Sequence, residues 1–145
     1  MSYDFELSCT IPATPEAIYE AWLDSAVHSA MTGGEAEASD KLGAPHSAWD
    51  GYITGKNLEL APGTRIVQTW RTSQFAADDP DSTITVALTP VKTGTKLTLT
   101  HRGVPDGQTS YEKHGWRDHY FKPMKAYFAE LRKTSNKAAR GKSEE

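Results

Sequence analysis

The stretch GWRDHYFKPMKAYF, residues 115–128, decides the fold. It sets five aromatic rings (Trp116, Tyr120, Phe121, Tyr127 and Phe128) around a proline at position 123. Advancing about 100° per residue from Trp116 gathers Trp116, Tyr120, Pro123, Met124, Tyr127 and Leu131 on one face, and Phe121 and Phe128 widen that face to roughly 160°. Asp118, Lys122, Lys125, Arg132 and Lys133 take the opposite side. The pattern predicts a long amphipathic helix from about Gln108 to about Lys133. Pro123 has no N–H and its ring crowds the carbonyl four residues back, which predicts a bend near residues 119–123. Arg117 is the one charge this wheel turns inward, beside Phe121 and Phe128. So wide an aromatic face has to be covered, and it either packs solidly or walls a cavity.

The cover is legible upstream. Residues 3–11 alternate, with Tyr3, Phe5, Leu7, Cys9 and Ile11 on one face and Asp4, Glu6, Ser8 and Thr10 on the other, which predicts a half-buried strand. Thr14, Pro15 and Glu16 then supply an N-cap, a first helical residue and a first-turn acid, and Ile18, Ala21 and Trp22 form the buried stripe of a short helix. A second short helix, about Ser25 to Met31, ends at Gly33 and Gly34. Residues 35–49 are turn-rich and weakly patterned. From Trp49 to Thr72 two strands meet at the turn APGT (61–64), and Ile66, Gln68 and Trp70 share a face of the second. After the acidic turn AADDPDS (76–82), Ile84, Val86 and Leu88 alternate. The hairpin VKTGTK (91–96) leads into a strand facing Leu97, Leu99 and His101 inward, and VPDG (104–107) ends the sheet. The fold class is therefore α+β: a curved antiparallel sheet with two short helices after its first strand, wrapped around a long C-terminal helix. Residues 1–133 read as one domain, and 134–145 as a flexible polar tail.

Composition narrows the function. The 145 residues are 37% hydrophobic and 24% charged, enough for one core-forming domain. From Arg132 onward five cations face two carboxylates, a local charge of +3 within a total of −3, so the body carries −6. An acidic body speaks against a nucleic-acid platform. No apolar run approaches membrane-spanning length, and the start MSYDFELSC resembles no secretion signal, so the expectation is a cytoplasmic protein with no membrane insertion. The single cysteine, Cys9, excludes an internal disulfide and sits on an apolar strand face as an inert core thiol.

Three blocks together resemble a known family. ITGKNLELAPGTRIVQTWRT (53–72), TKLTLTHRGVP (95–105) and GWRDHYFKPMKAYF (115–128) are similar to the heat-shock-protein-90 ATPase activator homologues, of the START-like or SRPBCC superfamily. The similarity covers about residues 8–130. It implies the helix-grip fold and a cavity between sheet and helix for a lipid-like, aromatic or polyketide-like ligand. Combined with strand alternation and the helix wheel, it suggests a lining of Trp49, Trp70, Val86, Leu88, Leu99, His101, Trp116, Tyr120 and Met124. The leading expectation is a non-catalytic module that binds a small hydrophobic molecule and needs no cofactor. The second expectation is a protein-interaction module with a chaperone or other protein partner, although the eukaryotic activators carry a further N-terminal domain that makes much of the chaperone contact, so the resemblance by itself does not imply chaperone activation.

The third is a cyclase- or hydrolase-like enzyme. His101 with Arg117 is the polar pair that could orient a ligand or serve acid–base chemistry. No phosphate-binding glycine motif and no nucleophile motif accompanies it. His114 and His119, five apart, diverge on a helix, and His28 and His46 have no ligands at metal spacing. These four read as surface histidines, and no metal site is expected.

Overall fold

β1 (Ser2–Ile11) begins a six-stranded antiparallel sheet completed by β2 (Pro45–Ala48), β3 (Ile53–Ala61), β4 (Arg65–Thr72), β5 (Ser82–Val91) and β6 (Gly94–Pro105). The computed structural model describes the backbone of residues 2–105 and 114–144, and side chains within 3–105 and 114–133. Strand order is β1-β6-β5-β4-β3-β2, so the chain meanders from β2 to β6 and β1 closes the far edge. Register shifts between Tyr3 and Phe5 and between Asn57 and Glu59 mark bulges, which bend and twist their strands. β2 is the strand sequence reading passes over. Its four residues are too few for a readable alternation, although His46 and Ala48 turn inward.

Two short helices fill the β1–β2 connection. In α1 (Pro15–Trp22) the Thr14 side chain accepts from the Ala17 N–H at 3.1 Å, and in α2 (Ser25–Thr32) Asp24 does the same for Val27 at 2.9 Å. Each cap satisfies a helix-end donor, worth about 1 kcal/mol. Gly33 closes α2 in the left-handed conformation (φ 87). The inner face of the sheet buries Ile66, Ile84, Val86, Leu97 and Leu99 completely, while Tyr3, beyond its bulge, is 46% exposed.

The last helix departs from a uniform wheel. Residues Arg117–Phe121 form a π-helical turn, in which the Lys122 N–H reaches back five residues to the Arg117 carbonyl, and α3 (Lys122–Glu144) continues from it. The wider turn stands just before Pro123, where the missing N–H and the ring would disturb an α-helical turn. It also shifts the phase of everything downstream. Arg117, Asp118 and His119 all face solvent, Tyr120 and Phe121 are both buried, and burial then continues at Met124 and Phe128. Tyr127 is only half-buried and Leu131 is 46% exposed, so neither is central to the sheet-facing stripe. The expected start at Gln108 lies outside the described residues. At the other end the helical backbone runs to Glu144, past the expected stop near Lys133.

Candidate functional site

Four tryptophans and three buried histidines converge where α1, α2, β4, β6 and the π turn meet. Trp116 is held between Trp22 of α1, stacked at 6.3 Å, and Trp70 of β4 at 4.8 Å. Tyr120, one turn on, stacks on Trp22 at 5.1 Å. Hydrogen bonds fix the rings in place. Because an indole N–H can only donate, the 3.1 Å bond from Trp116 Nε1 makes His101 Nδ1 an acceptor. The neutral ring then carries its proton on Nε2 and donates to Ser82 Oγ at 2.7 Å, and the Ser82 hydroxyl in turn donates a hydrogen bond to the Trp70 carbonyl. His28 is oriented by the same logic. Its Nδ1–H donates to the Trp22 carbonyl at 2.8 Å, so Nε2 accepts from the Tyr120 hydroxyl at 3.0 Å. His46 Nε2 donates to the Thr69 carbonyl at 3.0 Å. A third chain runs from Trp22 Nε1 to Gln68 Oε1 (3.0 Å), from Gln68 Nε2 to Asn57 Oδ1 (2.8 Å), and from Asn57 Nδ2 to the carbonyls of Ser39 and Lys41.

Burial sets the electrostatics. Desolvation pushes His101 down to about 3, only partly opposed by Asp4, and His46 down to about 4. His28 is lowered by the same cause against its bond to the Trp22 carbonyl. The Tyr120 phenol is driven above its usual range by burial, and the Cys9 thiol is raised to about 11, which keeps it protonated and unreactive near neutrality. His28 and His46 are thus not surface residues. Each finds buried partners from other elements, a circumstance that spacing along the chain does not reveal.

Beside this aromatic cluster lies a partly open cavity of about 240 Å³. Trp49, Tyr52, Ile53, Trp70, Gly115, Trp116, His119 and Tyr120 line it. Trp49 and Asp50 both have positive φ (52 and 58), an uncommon conformation for a bulky side chain. The turn is held by Asp50, whose N–H donates to the Glu35 carbonyl at 3.0 Å and whose carboxylate accepts from the Glu35 N–H at 3.2 Å. Gly34 leaves room for the Trp49 ring, since a Cβ there would stand 2.4 Å from it. His119 meets Trp49 edge-on at 5.1 Å.

Of the residues singled out from the sequence, Trp49, Trp70, Trp116 and Tyr120 come together on this wall. Val86, Leu88, Leu99 and Met124 do not line the cavity and sit in the packed core instead. Strand alternation tells which face a side chain takes, not where along the sheet the helix stands away from it. His101 lies behind Trp116, fully buried with both ring nitrogens engaged. Arg117 is exposed rather than inward, because the π turn rotates residues 117–119 to solvent. The expected His101–Arg117 pair is therefore not assembled. Sequence reading missed Tyr52, Ile53, Gly115 and His119 on the wall, and Trp22, His28, Gln68 and Ser82 behind it. Trp22 was legible only as a helix-stripe residue. Among the described residues no group of three His, Cys, Asp or Glu side chains is placed to hold a metal ion, and no helix is long and apolar enough to cross a membrane.

Known proteins share this architecture. The chain superposes on an HSP90 activator from Plasmodium falciparum with a TM-score of 0.79 at 27% identity, covering 87% of this chain and 96% of that one. An activator of 90 kDa heat shock protein ATPase homolog from Dictyostelium discoideum is 26% identical over 117 residues, which is 80% of this chain and 30% of the relative. An uncharacterised protein of Schizosaccharomyces pombe is 27% identical over 125 residues, 86% of this chain and 37% of that protein. The chain thus spans about a third of the length of these two curated relatives. Residues 12–129 match the model of the family described as activator of Hsp90 ATPase homolog 1-like protein, and with most of its length so matched the chain belongs to that family.

Proposed function

We propose that this chain is a non-catalytic binding module that holds a small hydrophobic molecule between the sheet and the π turn. The observation that carries the reading is the cavity of about 240 Å³ walled by Trp49, Tyr52, Trp70, Trp116 and Tyr120. An apolar cavity of roughly 150 Å³ already accepts benzene, so this space suits a ligand of one or two rings. Its walls are held before any ligand arrives, because Trp116 and Tyr120 are bonded to buried histidines. A pre-formed wall lowers the ordering cost of binding. The test is displacement of a naphthalene-based dye by a panel of small aromatic compounds, with stoichiometry from native mass spectrometry. Gly115→Leu is the matched control. Gly115 stands on the cavity wall, and a Cβ there meets no described atom within 4 Å, so the position has room for a larger side chain. The reading requires one-to-one binding that Gly115→Leu weakens at least tenfold, and a dye that binds both proteins equally refutes it.

The similarity to an HSP90 activator over 96% of that structure favours a second reading, in which the same domain docks on a 90-kDa heat-shock chaperone. Titrating this chain into the purified chaperone should then change its ATPase rate. An unchanged rate at saturating ratios removes this reading and leaves the ligand reading intact.

A further inference from the structure

We infer that the cavity takes a flat aromatic ligand carrying a hydroxyl at its outer end, and that the His119 imidazole at the mouth forms a hydrogen bond with that hydroxyl. The inference rests on the ligand-binding reading and names its ligand class. Of the residues that line the space, His119 alone is exposed, whereas Ile53, Trp70, Trp116 and Tyr120 are buried. A helical backbone lies beneath its side chains, so most of that exposure belongs to the imidazole. The ring meets Trp49 edge-on at 5.1 Å, which sets it on the rim, and its nitrogens have no hydrogen-bond or ion-pair partner among the described residues. The π turn is the cause. It turns residues 117–119 to solvent and Tyr120 inward, so consecutive residues supply the rim and the inner wall.

The chemistry of the rim selects the polar end of the ligand. A neutral imidazole carries one donor and one acceptor nitrogen, and a hydroxyl answers either, so the contact forms in both ring tautomers. Deeper polar groups are closed to a guest. Trp116 Nε1 donates to His101, the Tyr120 hydroxyl donates to His28, and Trp49 Nε1 is sealed from any molecule the size of water. An oxygen at the inner end would give up its water for an aromatic wall, so the polar end faces out. None of the lining residues is a lysine, arginine, aspartate or glutamate, so a carboxylate or an ammonium finds no permanent counter-ion there. The tilted rings around the space favour a planar guest, because aromatic pairs gain from offset and edge-to-face contacts.

The experiment compares 2-naphthol with 2-methylnaphthalene, two guests of nearly equal shape, in the wild type and in His119→Phe, by displacement of the naphthalene-based dye. Phenylalanine keeps a flat ring beside Trp49 and removes both nitrogens, and the position is exposed, so the core is untouched. A change in packing acts on both guests alike, whereas the lost hydrogen bond acts on one. The ratio of naphthol to methylnaphthalene affinity should therefore fall about three- to tenfold in the variant, the size of one hydrogen bond. A second readout uses the wild type alone. The chain has five histidines, and long-range proton–nitrogen NMR reports the ring nitrogens of each. Those of His119 should shift further with 2-naphthol than with 2-methylnaphthalene. An unchanged affinity ratio, or His119 signals that answer both guests alike, overturns the hydroxyl contact while leaving a binding cavity. Failure of both guests to displace the dye overturns the ligand reading itself.

Discussion

His101 makes folding depend on pH in a way that can be worked from its surroundings. A histidine held at about 3 in the folded protein, against an ordinary value of about 6.5, binds fewer protons folded than unfolded. Its contribution is therefore complete above about pH 6.5 and is lost as pH falls towards the folded value. Each pH unit in that window removes about 1.4 kcal/mol. At pH 5 His101 alone accounts for about 2 kcal/mol, His46 for a similar amount, and His28 acts in the same direction. Against a typical stability of about 5–15 kcal/mol, the fold should approach unfolding near pH 4–5. The perturbation that isolates one histidine is His101→Gln, whose amide offers one acceptor to Trp116 and one donor to Ser82 but does not titrate in this range. Urea unfolding followed by tryptophan fluorescence at pH 7.5, 6 and 5 measures the effect. The wild type should lose at least about 4 kcal/mol across that range, and His101→Gln about 2 kcal/mol less. A wild-type stability that is flat between pH 7.5 and 5, or a variant with the wild-type slope, would show that the ring is protonated without cost and refute the reasoning.

Other perturbations follow from named contacts. Asn57→Ala strands the Gln68 amide and the Ser39 and Lys41 carbonyls and should cost about 2–3 kcal/mol in urea unfolding, more than an exposed substitution. Gly34→Ala places a methyl against the Trp49 ring and should expel it, visible as a red-shifted tryptophan emission and loss of dye binding without loss of helical circular dichroism. Leu99→Ala, at a fully buried position, should lower stability by about 2–5 kcal/mol in the same unfolding assay. Cys9, with its thiol raised to about 11, should react with a disulfide reagent at pH 8 far more slowly than free cysteine, and should match it only once the chain is unfolded in urea.

Legibility followed the range of the interaction. Period-two alternation exposed β4, β5 and β6 because one face of each strand is buried along its length, and Thr14, Pro15 and Gly33 announced the helix ends because capping is local. β2 escaped because it is a strand by pairing with β3, not by pattern. Four of the wall residues, Trp49, Trp70, Trp116 and Tyr120, could be named from the sequence with the aid of the family resemblance. Val86, Leu88, Leu99 and Met124 share their inward direction but belong to the core, and Arg117 was placed inside by a wheel that assumed equal steps.

The sequence by itself determined the architecture: a meander of alternating strands, two capped helices and an aromatic helix broad enough to need the whole sheet as cover. It also carried the cause of the π turn, since Pro123 is written in it, but not the turn's consequence, a change of phase that releases Arg117 and Leu131 while Phe121 and Phe128 stay buried. Tertiary structure alone decided the states of the histidines. His28, His46 and His101 have no partners at helical or strand spacing, and each is neutral because elements far apart in the chain enclose it and supply its hydrogen bonds. It decided the cavity as well, because only the fold brings Trp49 of the β2–β3 turn, Trp70 of β4 and residues 115–120 around one space.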